Sequence, residues 1–221
     1  MRKDLLVNGE IYHVFVRSIA DFIIFNNNDE FNRITQLIKY YQSDNPLRLS
    51  DFLDLKIVQK EGFNNSLSFI TKDKDKLVQI IAFCFMPTHI HLLLKQLTKN
   101  GISDYMRKIL DGYTRYFNTI HKRKGPLWEG KFRNVLVKTD EQLIHLTRYI
   151  HLNPVSAALA NKPEDWEYSS YAEYLSEDQC NSMCLFSNII DIQPSSYRKF
   201  VNDQISYQRD LAIIKHQTID S

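Results

Sequence analysis

An α+β fold built on one antiparallel sheet follows from three features of the chain. Residues 78–96 hold two apolar runs joined only by Met86-Pro87-Thr88, too short a joint for a parallel crossover, so the runs form a hairpin. Strand-like and helix-like periodicities succeed one another as strand, helix, strand, strand, helix, strand. At 221 residues and 43% hydrophobic content, the chain can bury one sizeable core with an appendage rather than two equal domains.

Each element has a local reason. Residues 12–19 alternate, with Tyr12, Val14 and Val16 against His13, Phe15 and Arg17, and are expected as a strand. Asn28 or Asp29 then caps a helix through Tyr41, with Phe31, Ile34, Leu37, Ile38 and Tyr41 along one side. Residues 43–76 are polar and turn-rich, with room for a short helix after Ser50, and read as an insertion. Val78–Phe85 and His89–Gln96 are the hairpin strands. Ser103 is expected to cap a long basic helix, Asp104 to about Lys122, that stops before Gly125-Pro126. Residues 132–138 are strand-like, and Thr139 or Asp140 starts a helix from Glu141 to about Asn153 that Pro154 closes. This order is the split βαβ of a ferredoxin-like sheet, with helices on one face carrying a candidate catalytic tyrosine. The expected division is a domain over 1–172, including the insertion at about 43–76, and a C-terminal helical extension over 173–221. Tyr197, Phe200, Val201 and Ile205 suggest a helix there that packs on the domain or a partner, or covers a basic groove as a lid.

Composition narrows the function classes. No run of about eighteen apolar residues occurs and no secretory stretch follows Met1-Arg2-Lys3-Asp4, so a cytoplasmic protein is expected, with no membrane partner. Cys84, Cys180 and Cys184 match no zinc spacing and read as reduced thiols. The net charge of +2 is unevenly spread: residues 95–138 carry 11 basic and 3 acidic side chains, a net of +8, and residues 156–221 sum to −5. That basic segment is interleaved with Tyr105, Tyr113, Tyr116, Phe117, Trp128 and Phe132, which suits a polyanion offering bases to stack on. Arg115, Lys122, Arg123, Lys124, Trp128, Lys131 and Arg133 are the expected contacts to such a polyanion.

His89 and His91 stand two apart in a strand and so face one way, a ready pair of imidazole ligands. Tyr149 and Asn153 stand four apart in the last helix and share a face, so Asn153 can lend a third, oxygen ligand beside the Tyr149 phenol. A mixed nitrogen and oxygen shell with open positions suits a divalent ion, Mg²⁺ or Mn²⁺, that also meets substrate. Free tyrosine has a pKa near 10, so the phenol needs activation at neutral pH. His145, one turn before Tyr149, is an accessory candidate for DNA contact or proton transfer; His151 points elsewhere and reads as structural or exposed.

Five motifs in order carry a resemblance: Met86-Pro87-Thr88-His89-Ile90-His91-Leu92-Leu93-Leu94, Tyr113-Thr114-Arg115-Tyr116-Phe117-Asn118, Gly125-Pro126-Leu127-Trp128-Glu129-Gly130-Lys131-Phe132, Arg148-Tyr149-Ile150-His151-Leu152-Asn153-Pro154-Val155, and Trp166-Glu167-Tyr168-Ser169-Ser170-Tyr171. Together they resemble the REP-associated tyrosine transposases, single-tyrosine transposases of the HUH nuclease superfamily. The resemblance covers roughly residues 12–175. It implies a metal-dependent endonuclease and strand transferase acting on single-stranded, hairpin-forming DNA through a 5′-phosphotyrosine intermediate. It also implies His89, His91 and Asn153 as ligands and Tyr149 as nucleophile. The chain departs from the family in having Lys131 where arginine is common, and in the insertion.

Two other functions compete. One is a DNA-hairpin-binding protein whose catalysis has lapsed, which intact His89, His91, Tyr149 and Asn153 argue against. The other is an RNA-type phosphoesterase using two His-x-Thr motifs; His145 to Thr147 and His216 to Thr218 fit the spelling but fall on an expected helix and a polar tail. A homodimer and a monomer are equally compatible with the sequence.

Overall fold

The computed structural model describes residues 4–178 and 182–207; Cys180 and His216 lie outside them. Four strands, β1 (Ile11–Arg17), β2 (Val78–Met86), β3 (His89–Gln96) and β4 (Arg133–Val137), form one antiparallel sheet in the order β2-β3-β1-β4. This is the expected split βαβ sheet. Directly opposed residues share a face, so the pairings Cys84 with His91, His91 with Phe15 and Phe15 with Arg133 run one row across all four strands. A neighbouring row joins Met86, His89 and Arg17.

The opposite face, with Tyr12, Val14, Val16, Ile90, Leu92 and Leu94, is buried and apolar apart from Asn134 and Gln96. Helices α1 (Asn28–Tyr40) and α5 (Gly101–Ile120) back it, with Tyr113 and Phe31 meeting Phe25, which in turn contacts Phe85. Helix α6 (Asp140–Ser156) instead lies against the histidine face, where the Tyr149 ring meets His13 and His91. Helices therefore cover both faces, because the histidine face retains enough apolar surface around β2 to need its own cover.

The element bounds differ from expectation where a tertiary contact intervenes. Asn27, not Asn28 or Asp29, caps α1 through its side chain and the Glu30 amide. Helix α5 starts at Gly101, three residues before Asp104, so Ser103 is inside it and is not its cap. A Cβ on Gly101 would sit 2.3 Å from the Leu77 carbonyl oxygen, so only glycine lets the chain turn this close to the start of β2. Residues 43–76 contain three helices, α2 (Leu49–Leu53), α3 (Lys56–Glu61) and α4 (Phe63–Thr71), closed at the base by a bridge between Ser43 and Lys76. They are too short for a readable helical period. Leu49, Phe52 and Val58 anchor them to the common core.

Pro154 does not close α6, which continues to Ser156. Proline leaves the carbonyl four residues earlier, that of Ile150, without its usual N–H donor. The Asn153 Nδ2 reaches that oxygen at 3.4 Å and the Tyr149 carbonyl at 3.0 Å, so the side chain replaces the missing donor.

Beyond residue 172, α7 (Tyr171–Leu175) and α8 (Pro194–Asn202) pack on α6 and extend the same core through Tyr174, Met183, Cys184, Phe186, Tyr197 and Val201. Phe200 seats against Arg148, whose guanidinium lies 4.1 Å above its ring. Among the described residues the extension docks on the flank of α6, and none of it lines the cavity described next.

Candidate active site on the histidine face

A cavity of about 830 Å³ opens on the histidine face between β1, β3, α6 and the loop leading into β4. Four of its walls are the residues singled out by sequence: His89 and His91 from β3, Tyr149 and Asn153 from α6. Strand alternation aligns the two imidazoles, whose centroids are 5.0 Å apart, and helical spacing aligns the phenol with the amide. The Tyr149 ring stands edge-on to His91, 5.8 Å between centroids. Lys131 and Arg133 also line the cavity, with Arg17 and Glu129.

Both histidines have one ring nitrogen engaged outside the cavity. Thr88 Oγ1 lies 3.0 Å from His89 Nδ1, and His13 Nε2 lies 2.9 Å from His91 Nδ1. Burial depresses all three imidazoles: His13 and His89 fall to about 4, His89 further lowered by Arg17, and His91 lies well below its ordinary value. They are therefore neutral at physiological pH, and each ring keeps one unprotonated nitrogen. Burial raises the Tyr149 phenol, while a hydrogen bond from Asn153 and the positive charge of Arg17 work against that rise.

The rim is shaped by a turn that non-glycine residues seldom adopt. Ala20 and Asp21 have φ of 50° and 52°, a left-handed conformation with a cost of about 1 to 3 kcal/mol each. It is held by the Ser18 hydroxyl, which donates to the Phe22 carbonyl, and by the Ile19 amide, which donates to the Leu127 carbonyl. The turn returns Asp21 to Arg17, 3.1 Å apart, at the mouth of the cavity.

The remaining expected site residues are elsewhere. Trp128 is buried, its Nε1–H donating to the Leu110 carbonyl, so its indole belongs to the core and cannot stack on a base. His145 is hydrogen-bonded to Arg148 and rests on Phe200, on the α8 side of the helix. Arg115 lines a smaller cleft between α1, α2 and α5 with Arg33 and Arg48. Lys122 and Lys124 are exposed in the loop after α5, while Arg123 braces that loop by donating to Asn118 and Pro126; none of the three lines the cavity. Four groups at the site, His13, Arg17, Thr88 and Glu129, escaped the sequence reading. His13 and Arg17 left one trace, an alternation that puts polar side chains on one side of an otherwise apolar strand.

A four-stranded antiparallel sheet thus presents two histidines to a tyrosine-bearing helix. Residues 56–153 match the family model described as "Transposase IS200 like". Among curated proteins, it is similar to a putative REP-associated tyrosine transposase of Haemophilus influenzae, 31% identical over 104 residues. That match takes in 42% of this chain and 58% of the relative, so the chain spans little more than half the length of that protein. Among solved structures, a REP-associated tyrosine transposase bound to a REP hairpin superposes with a TM-score of 0.56 at 13% identity, covering 87% of this chain and 94% of the other. A putative transposase from Deinococcus radiodurans gives a TM-score of 0.36 at 15% identity, over 68% of this chain and 95% of that one.

Proposed function

We propose that this protein cuts and rejoins single-stranded DNA as a transposase-type endonuclease and strand transferase, with hairpin-forming DNA as its substrate and Tyr149 as its nucleophile. The observation that carries the reading is the convergence of Tyr149, Asn153, His89 and His91 on one open cavity, from a helix and a strand 58 residues apart at Tyr149 and His91.

The donor set fits a divalent cation such as Mg²⁺ or Mn²⁺. Two imidazoles are held neutral by burial, and the Asn153 amide uses its Nδ2 on its own helix, which leaves Oδ1 as the oxygen for a ligand role. When bound there, the ion supplies charge stabilisation for the phosphate. The chain does the rest. Lys131, Arg133 and Arg17 give the cavity the positive charge that a DNA backbone requires, and their placement beside Tyr149 holds a phosphodiester against the phenol. The Tyr149 oxygen attacks phosphorus as its proton leaves; the bond from phosphorus to the 3′-oxygen of the upstream nucleotide breaks, and that oxygen takes up a proton. The products are a 5′-phosphotyrosine and a free 3′-hydroxyl. Attack by the 3′-hydroxyl of another strand reverses the exchange and frees Tyr149.

Incubation with single-stranded hairpin DNA and Mn²⁺ tests this. The expected result is a covalent protein–DNA band with wild type that is absent with Tyr149→Phe. An adduct that persists in the variant, or wild type that binds hairpins tightly yet never cuts, overturns the reading; the latter result identifies a catalytically lapsed hairpin-binding protein.

A further inference from the structure

We propose that His13 is a positioning residue for the metal site: its Nε2 accepts the His91 Nδ1–H and so fixes the tautomer that leaves the His91 Nε2 lone pair for a divalent cation. The inference rests on the proposed metal role of His91.

The geometry leaves few alternatives. His13 and His91 come from neighbouring strands, one pleat apart on the same face, with Nε2 and Nδ1 2.9 Å apart and the rings stacked at 5.1 Å. Both residues are buried, His13 at 9% and His91 at 6% exposure, so neither nitrogen has water as a ready substitute. Two neutral imidazoles at hydrogen-bond distance share one proton between the facing nitrogens, and two arrangements follow. If His13 Nε2 carries it, His91 must hold its own proton on Nε2 and has no lone pair for a cation. If His91 Nδ1 carries it, Nε2 is a free donor atom. Only the second arrangement is compatible with ligation, and His13 is the acceptor that favours it. Such outer partners of metal-bound histidines orient the ring and strengthen its basicity, and their loss costs about 10- to 100-fold in metal affinity. Thr88 stands in the same relation to His89, but its hydroxyl can rotate and serve as donor or acceptor, so it does not select a tautomer alone.

The test uses the full chain as wild type, His13→Leu and His13→Gln, matched for folding by thermal melts. Leucine keeps an apolar side chain in the buried site without a polar atom; glutamine restores an acceptor near the Nε2 position. Mn²⁺ affinity is measured by calorimetry, and the histidine tautomers are read from long-range proton–nitrogen correlations in the Mg²⁺-saturated protein. The expected result is that His13→Leu weakens Mn²⁺ binding about 10- to 100-fold, that His13→Gln stays within a few fold of wild type, and that His91 is protonated on Nδ1. Wild-type affinity in His13→Leu, or His91 protonated on Nε2, overturns the inference while the metal site stands. A His13 ring nitrogen that itself shifts on metal binding makes it a ligand and also overturns it. Wild type that binds no Mn²⁺ removes the metal reading and this inference together.

Discussion

Acid should unfold this protein through a residue that never touches substrate. His151 is fully buried in α6, with Nε2 2.8 Å from Ser170 Oγ and Nδ1 2.6 Å from the Tyr197 hydroxyl. A hydroxyl faces each ring nitrogen and can donate or accept, so either neutral tautomer is satisfied. A second proton would place a charge in a fully buried site, and burial lowers the imidazole to about 3. The unfolded chain titrates near 6.5. The folded state therefore keeps its full stability above pH 6.5, loses it as pH falls, and stops losing it near pH 3. The loss from this group is about 2 kcal/mol at pH 5 and about 5 kcal/mol below pH 3. Urea unfolding of wild type and His151→Gln at pH 7.5 and pH 5 measures it. The variant is less stable at both values, but its drop between them should be smaller than that of wild type by about 2 kcal/mol. Equal drops, or a His151 resonance that titrates near 6.5, would refute the reasoning. Because His151 ties α6 to Ser170 and to α8, the same variant should also loosen Tyr149 and lower adduct yield.

Three further outcomes follow from individual contacts. Trp128→Phe should cost about 1 to 3 kcal/mol by leaving a gap and one lost hydrogen bond, with hairpin affinity unchanged in a gel-shift titration; a selective loss of DNA binding would restore the indole as a contact. Lys131→Ala and Arg133→Ala should each weaken DNA binding across sequences and lower the salt slope of binding by about 1, measured by fluorescence anisotropy across a salt series. Gly101→Ala should cost about 1 to 3 kcal/mol in denaturant unfolding, since the new methyl meets the Leu77 carbonyl.

Local order was legible wherever one side chain period dominates a segment. His89 and His91 were bound to share a face once their segment was a strand, and Tyr149 and Asn153 once theirs was a helix, so the chemistry of the cavity could be read as two pairs. Of the short helices of residues 49–71, only the one near Ser50 was legible, because five to nine residues hold too little of a period. Helix α6 outran Pro154 because Asn153 supplies the lost donor, a side-chain rescue that residue propensity does not encode. Trp128 looked like a DNA-stacking group since its neighbours are basic, yet the chain folds it back onto α5, where it meets Leu110, 18 residues earlier. The chain alone determined the strand and helix order, the charge excess over residues 95–138 and the two candidate site pairs, all matters of local spacing and composition. Tertiary structure decided that both pairs open on one cavity, that Arg115 and His145 do not, and that His13 meets His91 from 78 residues away. The reason is that strand register is set by the packing of whole faces, and no local stretch of sequence contains both partners.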